Sequence, residues 1–461
     1  MSSSDLLYNV DSAFESSLQS NPLPNTLEMK SKSGPLDGFR NYKPFEIRDG
    51  VRKSYWTSVA EIIRPSMGLG LLCLPYAFQK LGLINAIVLC LLFGIVLQYS
   101  YGLLCRARYR MCQVNRVPYL CFHDLVEYGI NLGPEYVYGF SNIFRRISVI
   151  MFFTFNLGKS CLYTKYVWIV LQNHLVDTEV EACIIYMIFC FLFVAIPTAN
   201  YMPFIRRFIE FMCVFLMATY VVYILLFFKA DVDEATLVNG DWVDIFQGLG
   251  VILFAYTSLP KILKAEDELK TPELFSNPKV FSVLKVSIFS ITNIFIVIGT
   301  CGYLAFFKTS KLSFCLLTAL PEHEFLKYFM GMYSLYIACM HQDVLQESIL
   351  LFWTPPPKCK RNMADELYWL FKFHVGMICV SVLGSWLMDK CLGQMMALLG
   401  CMSIWNFMVF PYLVEFCIVH GIDGIATKKI IIFKDVLMMV LGVSIFGAGM
   451  VAAIINFSYC E

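Results

Sequence analysis

Two interrupted apolar stretches carry the residues whose types and spacing could hold a small charged ligand. The first is Arg64-Pro65-Ser66-Met67-Gly68-Leu69-Gly70-Leu71-Leu72-Cys73-Leu74-Pro75. Two glycines two apart, with prolines on either side, lower helix propensity where a membrane helix would have its middle. Fifteen uncharged residues separate Arg64 from Lys80, fewer than the roughly 20 that a simple span requires. The second stretch, Phe254-Ala255-Tyr256-Thr257-Ser258-Leu259-Pro260, places two hydroxyls and a proline beyond the middle of sixteen uncharged residues, Ile245 to Pro260. A broken helix in lipid leaves N–H and C=O groups unpaired, which is tolerated where they line a cavity or hold a ligand. A half-helix starting near Leu69 or Gly70 would turn unpaired N–H groups and the positive end of its dipole inward, where a carboxylate would sit. Carbonyls freed near Met67 and around Phe254 to Thr257 would suit an ammonium group or a cation. A site that takes both charges a few ångströms apart fits a zwitterionic α-amino acid.

Ionisable residues inside apolar segments are the second source of chemistry. Glu61 and Arg64 lie near one end of the first segment; Glu61 is a candidate proton carrier, or the pair closes a gate at three-residue spacing. Lys159 and Lys165, six apart, point in different directions on a helix, and Lys159 is a candidate for meeting the ligand. His341-Gln342-Asp343 could line a vestibule, and His341 has a side chain suited to proton exchange. The eighteen cysteines show no zinc or redox spacing and read as small buried hydrophobes. Cys183 and Cys315 fall near one face, where they could pair or remain free. No His/Asp/Glu set at metal spacing and no nucleophile motif is present, so an enzyme is not expected, nor is a cofactor or a nucleic-acid partner.

The elements that must position these groups are membrane helices. Hydrophobic residues make up 58% of the 461 positions and charged residues 15%, with a net charge of +1. This is the composition of a polytopic membrane protein. Residues 1–52, rich in Ser, Asn and Pro, read as a disordered tail; within them Tyr42-Lys43-Pro44-Phe45 loosely matches a tyrosine-based sorting signal. The domain over 53–457 holds eleven apolar segments, near 56–80, 82–105, 147–171, 182–202, 207–228, 246–264, 281–306, 327–350, 367–388, 391–418 and 433–457. Lys and Arg concentrate in alternate loops, which places the N-terminus in the cytosol and the short C-terminus, 458–461, outside or in a lumen. The long inner loop 106–146 holds an amphipathic stretch, 119–129, expected to lie on the inner face, with His123 at the surface. Segments one and six are both interrupted and stand five spans apart, the spacing of an inverted repeat of five helices whose broken members face each other at the midplane.

These residues resemble the amino acid/auxin permease family, most closely its proton-coupled amino acid transporter branch. Gly68-Leu69-Gly70-Leu71-Leu72-Cys73-Leu74-Pro75 matches the first-helix run of that branch, with Leu69 in place of the usual Thr or Ser. Asn156-Leu157-Gly158 with Cys161 and Tyr163 is similar to its Gln-Leu-Gly…Cys-x-Tyr run. Phe254 through Glu266 to Pro272 is similar to the sixth-span run and exit, and Gly299–Tyr303 and Pro411 with Glu415 match further on. The resemblance covers roughly residues 50 to 457. It implies an all-α fold of five plus five inverted helices with an eleventh appended, moving small amino acids by alternating access, with H⁺ as coupling ion. Sodium coupling, or an amino acid sensor that transports little, are the alternatives. On this pattern Met67, Gly68, Leu69, Gly70, Leu71, Asn156, Phe254, Tyr256, Thr257, Ser258, Tyr333 and Ser334 would bind substrate. Glu61, Arg64, Lys159, Glu266 and His341 would couple or gate. The plasma membrane and a lysosomal or endosomal membrane are both compatible. Three departures bear on substrate and ion: Thr257-Ser258 stand where the branch has Glu-Gly, Glu61 where proton-coupled relatives have a histidine, and Lys159 and Lys165 where apolar residues are usual.

Overall fold

The computed structural model describes residues 42–48, 52–174, 236–257, 259–276, 281–306, 363–387, 392–421 and 428–458, together with 181, 184, 185, 188 and parts of 336–351. The expected fifth segment and most of the fourth and eighth lie outside these residues. Among the described residues every regular element is helical. A short helix α1 (Pro44–Ile47) precedes α2 (Tyr55–Ile63), whose first turn is capped by the Ser54 hydroxyl accepting from Thr57 N–H. A 3-10 turn over Arg64–Met67, a four-residue helix α3 (Leu69–Leu72) and α4 (Leu74–Leu81) complete the first segment. Then come α5 (Leu83–Asn115), α6 (Phe122–Asn131), α7 (Glu135–Tyr138) and α8 (Ser141–His174). The sixth segment is likewise split, into α9 (Trp242–Ala255) and α10 (Leu259–Glu268). It is followed by α11 (Val283–Phe306), α12 (Met363–Leu387), α13 (Leu392–Ile404), a π-turn over Trp405–Val409, α14 (Phe410–Gly421) and α15 (Lys428–Ser458). Both interruptions read from glycine, proline and hydroxyl placement are thus present.

Among the described residues, four helical stretches are long and apolar enough to cross a membrane: Leu83–Asn115, Val283–Ala305, Leu392–His420 and Lys429–Phe457. They correspond to the second, seventh, tenth and eleventh segments. The outer faces of α5 and α15 carry exposed apolar side chains, such as Val88, Leu91 and Ile95 on α5 and Phe433, Leu437 and Val440 on α15. Rows of this kind are stable against lipid and unfavourable against water. The chain is an integral, multi-pass membrane protein.

Helix α9 stands at the centre, against α4, α13 and α15. Lipid offers no hydrophobic drive for helix association, so close packing must supply it, and small residues permit it. A Cβ on Gly400 of α13 would overlap the carbonyl oxygen of Gly250 on α9, so the two backbones touch. That contact fixes α9 against α13 beside the second break.

Two expectations are corrected. Residues 42–48, assigned to the tail, are packed: Pro44 is buried, the Phe45 ring lies 4.8 Å from that of Tyr109, and Gln113 Nε2 donates to the Tyr42 carbonyl at 3.3 Å. Arg48 is buried as well, its guanidinium 4.6 Å from the Phe45 ring and 3.0 Å from Asp267. A short charge-and-aromatic segment can order itself where it finds an acidic partner, which composition does not reveal, and the sorting-signal match is part of that packing. The amphipathic stretch becomes α6, but its apolar face meets protein: Gly129 and Gly133 abut Val414 and Cys417 of α14. His123 is therefore buried, sharing a 2.9 Å hydrogen bond with Ser148. Burial pushes its pKa down to about 4, with Asp124 pulling up and Arg145 pushing down.

Candidate functional site

The first break is a change of helix type. Pro65 cannot supply an N–H to a continuing α-helix, and the chain tightens into the 3-10 turn before Gly68 takes an extended conformation (φ −79, ψ −158). The second break ends α9 at Tyr256. The two interruptions touch, since a Cβ on Gly70 would lie 2.6 Å from Ala255 Cα. Gly68 lies against Tyr163, whose hydroxyl would be 3.0 Å from an added Cβ. Leu69 and Leu71 turn their side chains fully into the core.

A cavity opens on the Arg64 side of these breaks. Pro65 and Thr257 line it from the two breaks. Helix α8 contributes Phe152, Phe155, Asn156 and Lys159; the eighth segment Met340, Asp343, Val344 and Glu347; α13 and the π-turn Ser403, Asn406 and Phe407; and α5 Tyr101. Both signs of charge face it. Lys159 Nζ, almost wholly buried, stands 5.9 Å and 5.7 Å from the Phe155 and Tyr163 ring centroids, where the ring faces help to hold a cation. Asp343 accepts from Arg64 Nη2 at 3.2 Å, and Tyr336 donates to the Arg64 carbonyl at 2.8 Å.

Of the residues singled out in sequence, Asn156, Lys159 and Thr257 line the cavity. Met67, Gly68, Leu69, Gly70, Leu71 and Phe254 form the packed wall behind it, Phe254 lying 6.2 Å from the Phe155 ring. Tyr256 turns away: its hydroxyl lies within hydrogen-bonding distance of Cys90 O (3.0 Å) and Thr292 Oγ1 (2.9 Å), which pins the break to α5 and α11. Thr257 Oγ1 donates to Phe254 O at 2.7 Å, so the carbonyl freed by the break is satisfied within its own turn. His341 lies in a buried hydroxyl network, bonded to Ser160, which meets Ser381 at 2.6 Å. Ser258, Tyr333, Ser334, Cys183 and Cys315 lie outside the described residues. Asp343, Glu347, Ser403 and Asn406 complete the lining. Asp343 was visible as part of the His341-Gln342-Asp343 run, and Asn406 as a polar residue in an uncharged span, but the π-turn that presents Asn406 left no sequence signal.

Charged clusters flank the breaks on either side. Beyond α4, Lys80 Nζ meets Asp244 at 2.9 Å, while Asn239 Nδ2 donates to Lys80 O at 2.8 Å. On the Arg64 side the exit of the second break, α10, is clasped. Glu61 does not pair with Arg64; it bonds Lys53, which also holds Glu268 at 2.6 Å. Backbone bonds from Lys53 N–H to Glu268 O (2.6 Å) and from Lys270 N–H to Lys53 O (3.0 Å) continue the join. Arg108, buried at 3% exposure, meets Glu266 at 2.9 Å and Asp267 at 2.7 Å and donates from Nε to Leu120 O at 2.7 Å. Burial pushes the Glu266 carboxyl up, against the opposing pull of Arg108 and Arg48. A further cluster joins α14 to α15: Lys434 bonds Glu415, lies 3.0 Å from the fully buried Asp435, and donates to Tyr99 OH at 2.8 Å.

Comparison with known proteins places this geometry. Residues 52–455 match the family model described as transmembrane amino acid transporter protein. Over 426 residues the chain is 22% identical to the proton-coupled amino acid transporter-like protein pathetic of Drosophila melanogaster, covering 90% of this chain and 88% of that one.

Proposed function

The chain belongs to the transmembrane amino acid transporter family, and from that premise we propose that it carries small amino acids across a membrane by alternating access, coupled to protons. It is a membrane transporter by family, not an enzyme. The observation that carries the reading is the cavity beside two abutting helix breaks, whose lining includes the cation of Lys159 and the carboxylates of Asp343 and Glu347. A zwitterion carries a charge to match each sign. The proposal includes five plus five inverted helices with an eleventh appended, an N-terminus in the cytosol, and a cavity that opens inward past Arg64.

Proton coupling is supported by the relative's description as proton-coupled transporter-like and by two local features. The Phe254 carbonyl, an oxygen that a sodium ion would use, already accepts from Thr257. Asp343 both lines the cavity and pairs with Arg64, so a proton on Asp343 would release Arg64 while substrate is bound. We assign the coupling proton to Asp343 rather than to Glu61, whose partner is Lys53 in the clasp. Glu61 and Glu266 then act in the gate, and His341 supports α8 through Ser160. Uptake into proteoliposomes, measured with sodium replaced and then with the pH gradient collapsed, tests this. Only the second change should abolish concentrative uptake; loss on sodium replacement would refute proton coupling.

A further inference from the structure

Two carboxamide side chains from different elements line the cavity. Asn156 on α8 is 2% exposed and Asn406 on the π-turn 7% exposed. Among the described residues, neither Asn156 Nδ2 nor Asn406 Oδ1 has a hydrogen-bond partner, although both residues line the cavity. Buried polar side chains are hydrogen-bonded in the large majority of cases, and an exception calls for a reason. Here two exceptions share one space. The π-turn adds to this, because such a turn interrupts regular helix bonding and occurs often where a helix presents a functional group. The residues around the pair do not answer the need: Thr257 is bonded to Phe254 O and Ser403 to Gly400 O.

We infer that Asn156 and Asn406 form a subsite for an uncharged donor–acceptor group, and that the preferred substrates are amino acids with a side-chain carboxamide. This rests on the amino acid reading above and sharpens it. The charged groups of the cavity suit the two charged ends of the substrate and leave the asparagines for its side chain. A carboxamide both donates and accepts, as each asparagine does, so a substrate amide can bond one asparagine through its oxygen and the other through its nitrogen. The match does not depend on which way each asparagine amide is turned. A side-chain carboxylate offers acceptors only and adds a charge beside Asp343 and Glu347. An aliphatic or thioether side chain of the same length expels water and leaves both asparagines unmet. Each unmet group weakens binding on the order of tenfold, so discrimination of about tenfold to a hundredfold is expected.

The test uses the full chain in proteoliposomes and in nanodiscs, with L-glutamine, L-asparagine, L-glutamate, L-methionine and L-leucine as probes. Half-saturation of uptake and ligand-induced thermal stabilisation are both read. The inference expects glutamine or asparagine to bind at least about tenfold more tightly than methionine, leucine and glutamate. N406L should lose that preference and bind methionine more tightly than the native chain does; N156L provides the same comparison from α8. A variant that gains methionine affinity is folded, which separates lost specificity from lost structure. Equal affinity for glutamine and methionine in the native chain overturns the carboxamide inference and leaves the amino acid reading standing. No binding of any amino acid by either readout overturns both.

Discussion

Replacing Arg108 by methionine removes the centre of the clasp around α10 at nearly constant side-chain volume. In the native chain Arg108 and Glu266 are each 3% exposed and meet at 2.9 Å. Breaking such a pair from one side leaves a buried charge uncompensated, which costs about 3–5 kcal/mol. Arg48 cannot fully take over, because its guanidinium is engaged with Asp267 at 3.0 Å and with the Pro118 carbonyl at 2.8 Å. The carbonyl of Leu120, which accepts from Arg108 Nε at 2.7 Å, also loses its donor, at about 1 kcal/mol. Adding Glu266→Gln to Arg108→Met removes the stranded charge, so the double variant should recover at least about 2 kcal/mol of the loss. Unfolding in mixed micelles, followed by tryptophan fluorescence, gives both differences. The reasoning fails if Arg108→Met stays within about 1 kcal/mol of the native chain, or if Glu266→Gln worsens the single variant instead of rescuing it.

His123 makes stability depend on pH: its folded pKa is about 4 against an ordinary 6.5, so the unfolded chain binds the extra proton. Stability should fall as pH drops from about 6.5 to about 4, by about 3 kcal/mol in total; unfolding midpoints across that window should flatten in His123→Gln. Lys434→Met leaves Glu415 and the fully buried Asp435 without their shared cation and should destabilise the chain, with Asp435→Asn restoring part of the loss in the same unfolding assay. Gly400→Val drives a side chain into Gly250 O and should destabilise by about 4 kcal/mol or more, read as loss of monodisperse protein on size-exclusion. Asp343→Asn removes the group assigned the coupling proton and should abolish acceleration of uptake by a pH gradient, read in proteoliposomes with and without the gradient.

Much of this arrangement is legible in the sequence because breaking a helix has local causes. Pro65, Gly68, Gly70 and Pro260 declare the two interruptions through backbone geometry alone, and the structure places the breaks in contact. What surrounds the breaks depends on which helices meet. Leu69 and Leu71 belong to the right stretch yet point into the core, and Thr257 satisfies the Phe254 carbonyl that the break frees. Glu61 and Arg64 stand at pairing distance along the chain, but Lys53 and Asp343 reach them first. Asn406 and Glu347 enter the site through a π-turn and a helix facing, neither of which leaves a periodic mark. The ordered segment 42–48 escapes composition for a similar reason, since its order derives from Asp267 and Tyr109, more than sixty residues away.

The central claim is that the cavity beside the two breaks takes up an amino acid. Uptake into proteoliposomes over a panel of amino acids, sugars and nucleosides, with and without an inward pH gradient, tests it most directly. The account predicts saturable uptake of amino acids alone, accelerated by the gradient and reduced at least about tenfold when Lys159 is replaced by methionine. Equal uptake of sugars or nucleosides, or amino acid uptake indifferent to Lys159→Met, would contradict it.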